Sequence, residues 1–399
     1  MPGFLDRRRA AQLMRERGLD ALVLAQPESI TYATGAFPGV ATYWRRAGAA
    51  FVLVPADESA PPTAIVGDLQ AQAFAAQSGI ADVRSHRIWV ESGAFPGTDP
   101  DAPVRTPRPA QFDLTQTLRL LHDALEDRGL LGGRVGLELG FVSAADYPAF
   151  GALPVTWVDC TDIVERLRSI KTPQEIAHLR NAAEYAAAGF RALTEAIVEG
   201  MDAATMTAIW RDAAYADAAR RGHPAPQSSW AYISVAGDGF APGGPAKRGD
   251  LIKIDVGTVI NGYSSDGART VVLDKPSADA VRIYDALRRA FDVGFAMLRT
   301  GVRLADIYRA TATTMWDAGY DQYGRGHFGH GVGSSIWSEE WPFISADADA
   351  VLEPGMVMAF ETPWYIRGLG GFIIEDQVLI TASGAEVMAP LPRELLRIS

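Results

Sequence analysis

Apolar and polar positions alternate with two periods along this chain, and the change of period divides it. Over roughly the first 160 residues, short apolar runs stand between helical patterns. Residues 21–25, 50–55 and 134–139 read as strands and 114–130 as a helix. This grammar predicts an α/β domain. Thr172-Pro173-Gln174-Glu175 then combines a capping box with proline at the first helical position. Ile176, Leu179, Ala182, Ala183, Ala186, Phe190 and Leu193 continue it as a long amphipathic helix. Further helices are predicted over 203–220, 278–299 and 304–318, with a candidate strand at 230–236. The boundary is expected near Asp162 to Lys171, written as domains 1–162 and 163–399.

In the second part, acids interrupt runs that are otherwise apolar. Leu251-Ile252-Lys253-Ile254-Asp255-Val256-Gly257 reads as a buried strand, and Asn261-Gly262 is a strong hairpin signal. A two-residue turn there sets Asp266 opposite Gly257. Asp255 shares the face of Gly257, so the two carboxylates become diagonal neighbours. Gly329-His330-Gly331-Val332-Gly333 is expected to hold an imidazole in a glycine-rich loop. Residues 356–360 form an apolar strand that delivers Glu361, and Gly370-Gly371 opens another that carries Glu375. A buried carboxylate is too costly to keep ionised without a cation or a proton. Four of them converging on one site match the charge of two divalent ions.

Asp255, Asp266, His330, Glu361 and Glu375 resemble, in order and context, the five metal ligands of the pita-bread metallohydrolases: methionine aminopeptidase, aminopeptidase P and prolidase. Gly329 to Gly333, Glu353-Pro354-Gly355-Met356-Val357 and the run from Ile374 to Thr381 look most like prolidase. Gly18 to Leu24 with Pro27 to Gly35, and Arg168-Ser169-Ile170-Lys171 before the capped helix, resemble creatinases and prolidases. The resemblance implies an α/β creatinase-like N-terminal domain, an α+β pita-bread catalytic domain and a homodimer. It also implies hydrolysis of an amide or related C–N bond, with Glu361 as proton acceptor. Oxygen ligands with one imidazole and no thiolate favour manganese, cobalt, zinc or iron. Two such ions can share a water and lower its pKa towards neutrality.

The chain departs from prolidase at three places. The loop 235–245 has no histidine, with Asp238 its only ionisable side chain. The second family histidine is replaced by Trp337 when counted forward from His330, and by Glu339 when counted back from Trp341-Pro342. An arginine two residues before the last glutamate is replaced by Ile373. Glu339 is therefore the candidate acid/base group, and His327 a candidate substitute for a lost group. Trp316, Trp337, Trp341, Trp364 and Tyr365 are expected to pack in the core, with an aromatic wall for a cyclic or cationic substrate as the alternative. The expected substrate is a dipeptide of Xaa-Pro type or a small amide. The alternative is a small-molecule enzyme on the same fold, like ectoine hydrolase, creatinase or dimethylsulfoniopropionate lyase. A catalytically silent binding protein would have no reason to keep four mutually repelling carboxylates.

Charge and composition narrow the partners. A net charge of −11 and the absence of a basic stripe argue against nucleic acid. Cys160 is the one cysteine, so no internal disulfide forms and a reducing cytoplasm is the expected setting. No apolar run reaches the length of a membrane span, and no signal peptide is expected. His86, His122 and His178 read as surface or core histidines, and 96–109 as an exposed loop.

Overall fold

The computed structural model describes residues 3–88, 113–335 and 339–399, so the expected loop at 96–109 and Trp337 lie outside the described residues. Two compact units divide the chain, Met1–Arg168 and Ser169–Ser399. The division falls at the end of the helix Thr161–Ser169.

The first unit is built on six strands, β1 (Ala21–Leu24), β2 (Phe51–Pro55), β3 (Thr63–Gly67), β4 (Asp82–His86), β5 (Arg134–Leu137) and β6 (Thr156–Asp159). Their order is β4-β3-β2-β1-β5-β6, mixed parallel and antiparallel. One face packs on the helix Leu114–Asp127 through Val23, Phe51, Leu121 and Leu125. His86 is buried in this unit, with Nε2 3.1 Å from the Ala49 carbonyl.

The second unit carries thirteen further strands. These are β7 (Ser228–Ala231), β8 (Ser234–Val235), β9 (Leu251–Ile260), β10 (Tyr263–Ser264), β11 (Gly267–Leu273), β12 (His327–Gly331) and β13 (Glu340–Ser345). They continue with β14 (Val357–Glu361), β15 (Trp364–Ile366), β16 (Gly370–Phe372), β17 (Ile374–Thr381), β18 (Gly384–Val387) and β19 (Leu396–Ile398). The main sheet runs β10-β9-β11-β17-β14-β12-β13. Asn261 and Gly262 both have positive φ (50° and 81°), as a type I′ hairpin requires. The register keeps Ser264 opposite Val259 and Gly267 opposite Val256, and continued between them it sets Asp266 opposite Gly257.

Alternation with a period of two gives this sheet two different faces. Ile252, Ile254 and Val256 of β9 and Val271 of β11 point to Phe190, Leu193 and Trp210 of the helices Pro173–Ala196 and Ala203–Arg220. Met358, Phe360, Ile374 and Val378 point to Tyr284, Leu287, Phe291 and Met315 of the helices Ala278–Phe295 and Leu304–Asp317. The residues between them, on the opposite face, include every candidate ligand. The long helix begins with the predicted capping box: the Thr172 side chain accepts from Glu175 N–H and the Glu175 side chain from Thr172 N–H.

Candidate metal centre

Strand pairing brings the acids together. Asp255 on β9 pairs with Ala268 on β11, Ala268 with Glu375 on β17, and Glu375 with Glu361 on β14. These positions form one row across four strands and share a face. The next row on that face holds Gln377, Ala359 and His330. Asp266 joins it: its backbone N–H donates to Gln377 Oε1 at 3.0 Å, and Gln377 Nε2 donates in turn to the Leu179 carbonyl at 3.2 Å. All five candidate ligands line one open cleft of about 330 Å³. The ligand atoms of Asp266, His330 and Glu375 lie within 4.8 Å of one another.

His330 sits on strand β12, which corrects the expectation of a loop. The glycines beside it serve close strand packing: Gly329 has φ +137°, and a Cβ there would lie 2.0 Å from the Ala359 carbonyl oxygen. The His330 ring is 3.0 Å from the Gly331 carbonyl through Nδ1, so Nδ1 carries the proton that this carbonyl accepts. Nε2 is left to face Asp266 Oδ2 at 3.5 Å. A carbonyl fixing the tautomer of a histidine in this way is the usual support of a metal-binding imidazole.

The electrostatics call for a cation. Burial pushes the Glu361 carboxyl up to about 7. Glu375 is pushed well above the usual carboxylate range, first by burial and then by Asp266, Glu361 and Asp255. Burial also raises Asp255, although Lys253 opposes the shift. His330 is lowered to about 4 by burial, so its imidazole is neutral at pH 7 and can ligate. The donor set therefore fits a divalent metal, which relieves the buried carboxylates and needs the neutral imidazole. A pH dependence follows with a definite sign. In metal-free protein the raised acids hold protons that the unfolded chain gives up, so their contribution to stability is lost as pH rises from 4.5 through about 7. Manganese competes with those protons. The rise in melting temperature on adding it is expected to be larger at pH 8 than at pH 5, as differential scanning fluorimetry would show.

A profile of metallopeptidase family M24 matches residues 177–382, and one of the creatinase/prolidase N-terminal domain matches 7–170. The chain belongs to family M24. It is a metal-dependent hydrolase made of a creatinase-like N-terminal domain and an M24 catalytic domain. Its sequence is 34% identical to the Xaa-Pro dipeptidase of Pyrococcus furiosus over 59% of this chain and 67% of that one. It is 32% identical to the probable dipeptidase PepE of Mycobacterium bovis, over 62% and 65%. The sequence matches thus span about two thirds of these relatives. In structure it superposes on dipeptidase PepE of Mycobacterium ulcerans with a TM-score of 0.77 at 25% identity, covering 98% of this chain and 96% of that one. The Xaa-Pro dipeptidase of Bacillus anthracis gives 0.78 at 24% identity and shares the fold.

Against that family background, the departures acquire positions. Between the pairs His330–Phe343 and Gly331–Glu340 the β12–β13 register shifts by two residues. Glu339 lines the cleft, while Glu340 turns to Lys171, whose Nζ is 3.7 Å from its Oε2. His327 also lines the cleft. Its Nδ1 accepts from Gly329 N–H at 3.2 Å, which leaves the ring proton on Nε2, and burial lowers it to about 4. It is thus a neutral hydrogen-bond donor near pH 7.

Five residues of the cleft were missed by sequence reasoning. Arg325 Nη2 donates to Glu361 Oε1 at 2.8 Å. Lys253 is buried beside Asp255 in a mostly apolar strand, and a buried cation there was the available signal. It pairs with Thr270, which in turn bonds Ile373, so the cation lies in the cross-sheet row from which the family arginine is missing. Trp230 and Tyr232, with ring centroids 5.5 Å apart, line the cleft, as do Phe240 and Tyr365, which pack edge to face. Of the aromatics singled out from the sequence, Tyr365 lines the cleft. Trp364 packs on Tyr320 and Tyr323 instead, and Trp316 Nε1 donates to the Tyr323 carbonyl.

Proposed function

We propose that this protein hydrolyses the peptide bond of a dipeptide at the cleft of the M24 domain. The observation that carries this reading is the placing of Asp255, Asp266, His330, Glu361 and Glu375 on one face of one sheet, within one cleft. The dipeptidase names of the relatives favour a dipeptide over the ectoine-hydrolase, creatinase or lyase alternative. Asp266, His330 and Glu375 would hold a divalent ion of the manganese, cobalt, zinc or iron class, with Asp255 and Glu361 at their side. Such an ion polarises a carbonyl and makes water acidic.

The remaining roles fall to the chain. Glu361 accepts a proton from water, the role that the resemblance to prolidase implies for it. His327 offers Nε2–H to the oxygen of the scissile carbonyl as charge develops there. Glu339 protonates the leaving nitrogen. The aromatic side of the cleft holds the side chain or ring of the substrate. A panel of Xaa-Pro and other dipeptides, assayed with manganese- or zinc-loaded protein, tests the reading. Turnover of a small amide with none of any dipeptide would overturn it.

A homodimer in a reducing cytoplasm completes the proposal. Buried Cys160 is compatible with that compartment, and no helix among the described residues is long and apolar enough to cross a membrane. Sedimentation at micromolar concentration is expected to give a dimer, and a monomer would remove this part.

A further inference from the structure

Four carboxylates require two divalent ions only where no other cation stands among them. Here two do. Lys253 lies two residues before Asp255 and on the same face, its side chain 1% exposed and its Nζ 3.4 Å from Asp255 Oδ2. The rings of Tyr365 and Phe240 lie 5.2 and 5.7 Å from that ammonium. Their electron-rich faces favour a cation and hold it near Asp255. Towards the other end of the row, Arg325 binds Glu361 Oε1 at 2.8 Å.

The carboxylates thus fall into two kinds. The outer ones, Asp255 and Glu361, each have a protein cation within 4 Å. The inner ones, Asp266 and Glu375, converge with His330, and among the described residues that trio forms the tight buried group. Neither Asp255 nor Glu361 joins it. Leaving aside Glu339, which is not among the candidate ligands, the four ligand carboxylates less two cations leave two negative charges, the charge of a single divalent ion.

We propose that Lys253 is the fixed counter-ion of Asp255 and takes the place of a second divalent ion, so that the chain tightly retains one ion, on Asp266, His330 and Glu375. The proposal rests on the metal-dependent reading of the site. A second ion at Asp255 would sit against an ammonium whose stem is enclosed by strand and rings, and like charges at such distances repel strongly where water is scarce.

Manganese is the probe. Wild-type protein loaded with excess manganese and desalted is expected to retain one ion per chain by elemental analysis. Calorimetric titration of metal-free protein should show any second step about a hundredfold weaker or more. Lys253→Met keeps most of the buried stem and removes the charge, and it is expected to retain two ions. Lys253→Arg keeps the charge and should stay at one. Two tightly held ions per wild-type chain overturn the proposal, and so does a cooperatively melting Lys253→Met protein that still holds one. If Lys253→Met does not fold, the wild-type and Lys253→Arg counts decide. Wild-type protein that retains no manganese would sink the metal-dependent reading together with this proposal.

Discussion

His330→Ala is expected to abolish metal retention and hydrolysis together. The imidazole is the one nitrogen donor among the candidate ligands, and its Nε2 is aimed at Asp266 by the bond between Nδ1 and the Gly331 carbonyl. Without it, Asp266 and Glu375 stay buried and close together, and protonation becomes the cheaper way to remove their charge. A bound ion contributes several kcal/mol to stabilising charge in such a reaction, so its loss should cost on the order of a thousandfold or more in turnover. Elemental analysis and a dipeptide assay on the same preparation check this. A folded variant that keeps its metal and turns over within tenfold of wild type would remove His330 from the site. Its small, glycine-flanked strand is otherwise intact after the change, so a general loss of fold is not expected.

Glu339→Gln should slow turnover by about a hundredfold, the usual contribution of a positioned acid or base, and leave the metal content unchanged. Glu339 lines the cleft beside Asp255, His327 and Glu361. Gln has nearly the same size and keeps a hydrogen-bonding amide, but it has no proton to give a leaving nitrogen. His327 cannot substitute, because an imidazole lowered to about 4 carries no extra proton at neutral pH. Steady-state kinetics beside elemental analysis separate the outcomes. Turnover that survives within a few-fold would leave Glu339 a surface acid at the mouth of the cleft.

Much of this centre was legible in the chain because its determinants are local. An acid interrupting an apolar run announces a strand with one dry face and one chemical face, and the packing of Ile252, Ile254 and Val256 on helices agrees with that pattern. The Asn261-Gly262 turn sets its register by backbone geometry alone, so the diagonal of Asp255 and Asp266 could be counted from sequence. The capping box at Thr172 is likewise a matter of four neighbouring residues. The glycines around His330 misled, since the same residues that permit a loop also permit strands to approach within contact distance.

What the sequence determined by itself was the candidate ligand set, the strands that carry its acids and the family they resemble, because each depends on spacing within short segments. Only the tertiary structure decided which charges meet. The pairings of Lys253 with Asp255 and of Arg325 with Glu361, and the support of Asp266 by Gln377, depend on where side chains end and, for the last two, on strands distant in the chain. Only the structure shows Glu339 lining the cleft while Glu340 lies beside Lys171. Charge balance is a property of a volume, not of a segment, and so the number of metal ions the centre needs could be weighed only after the fold had filled that volume.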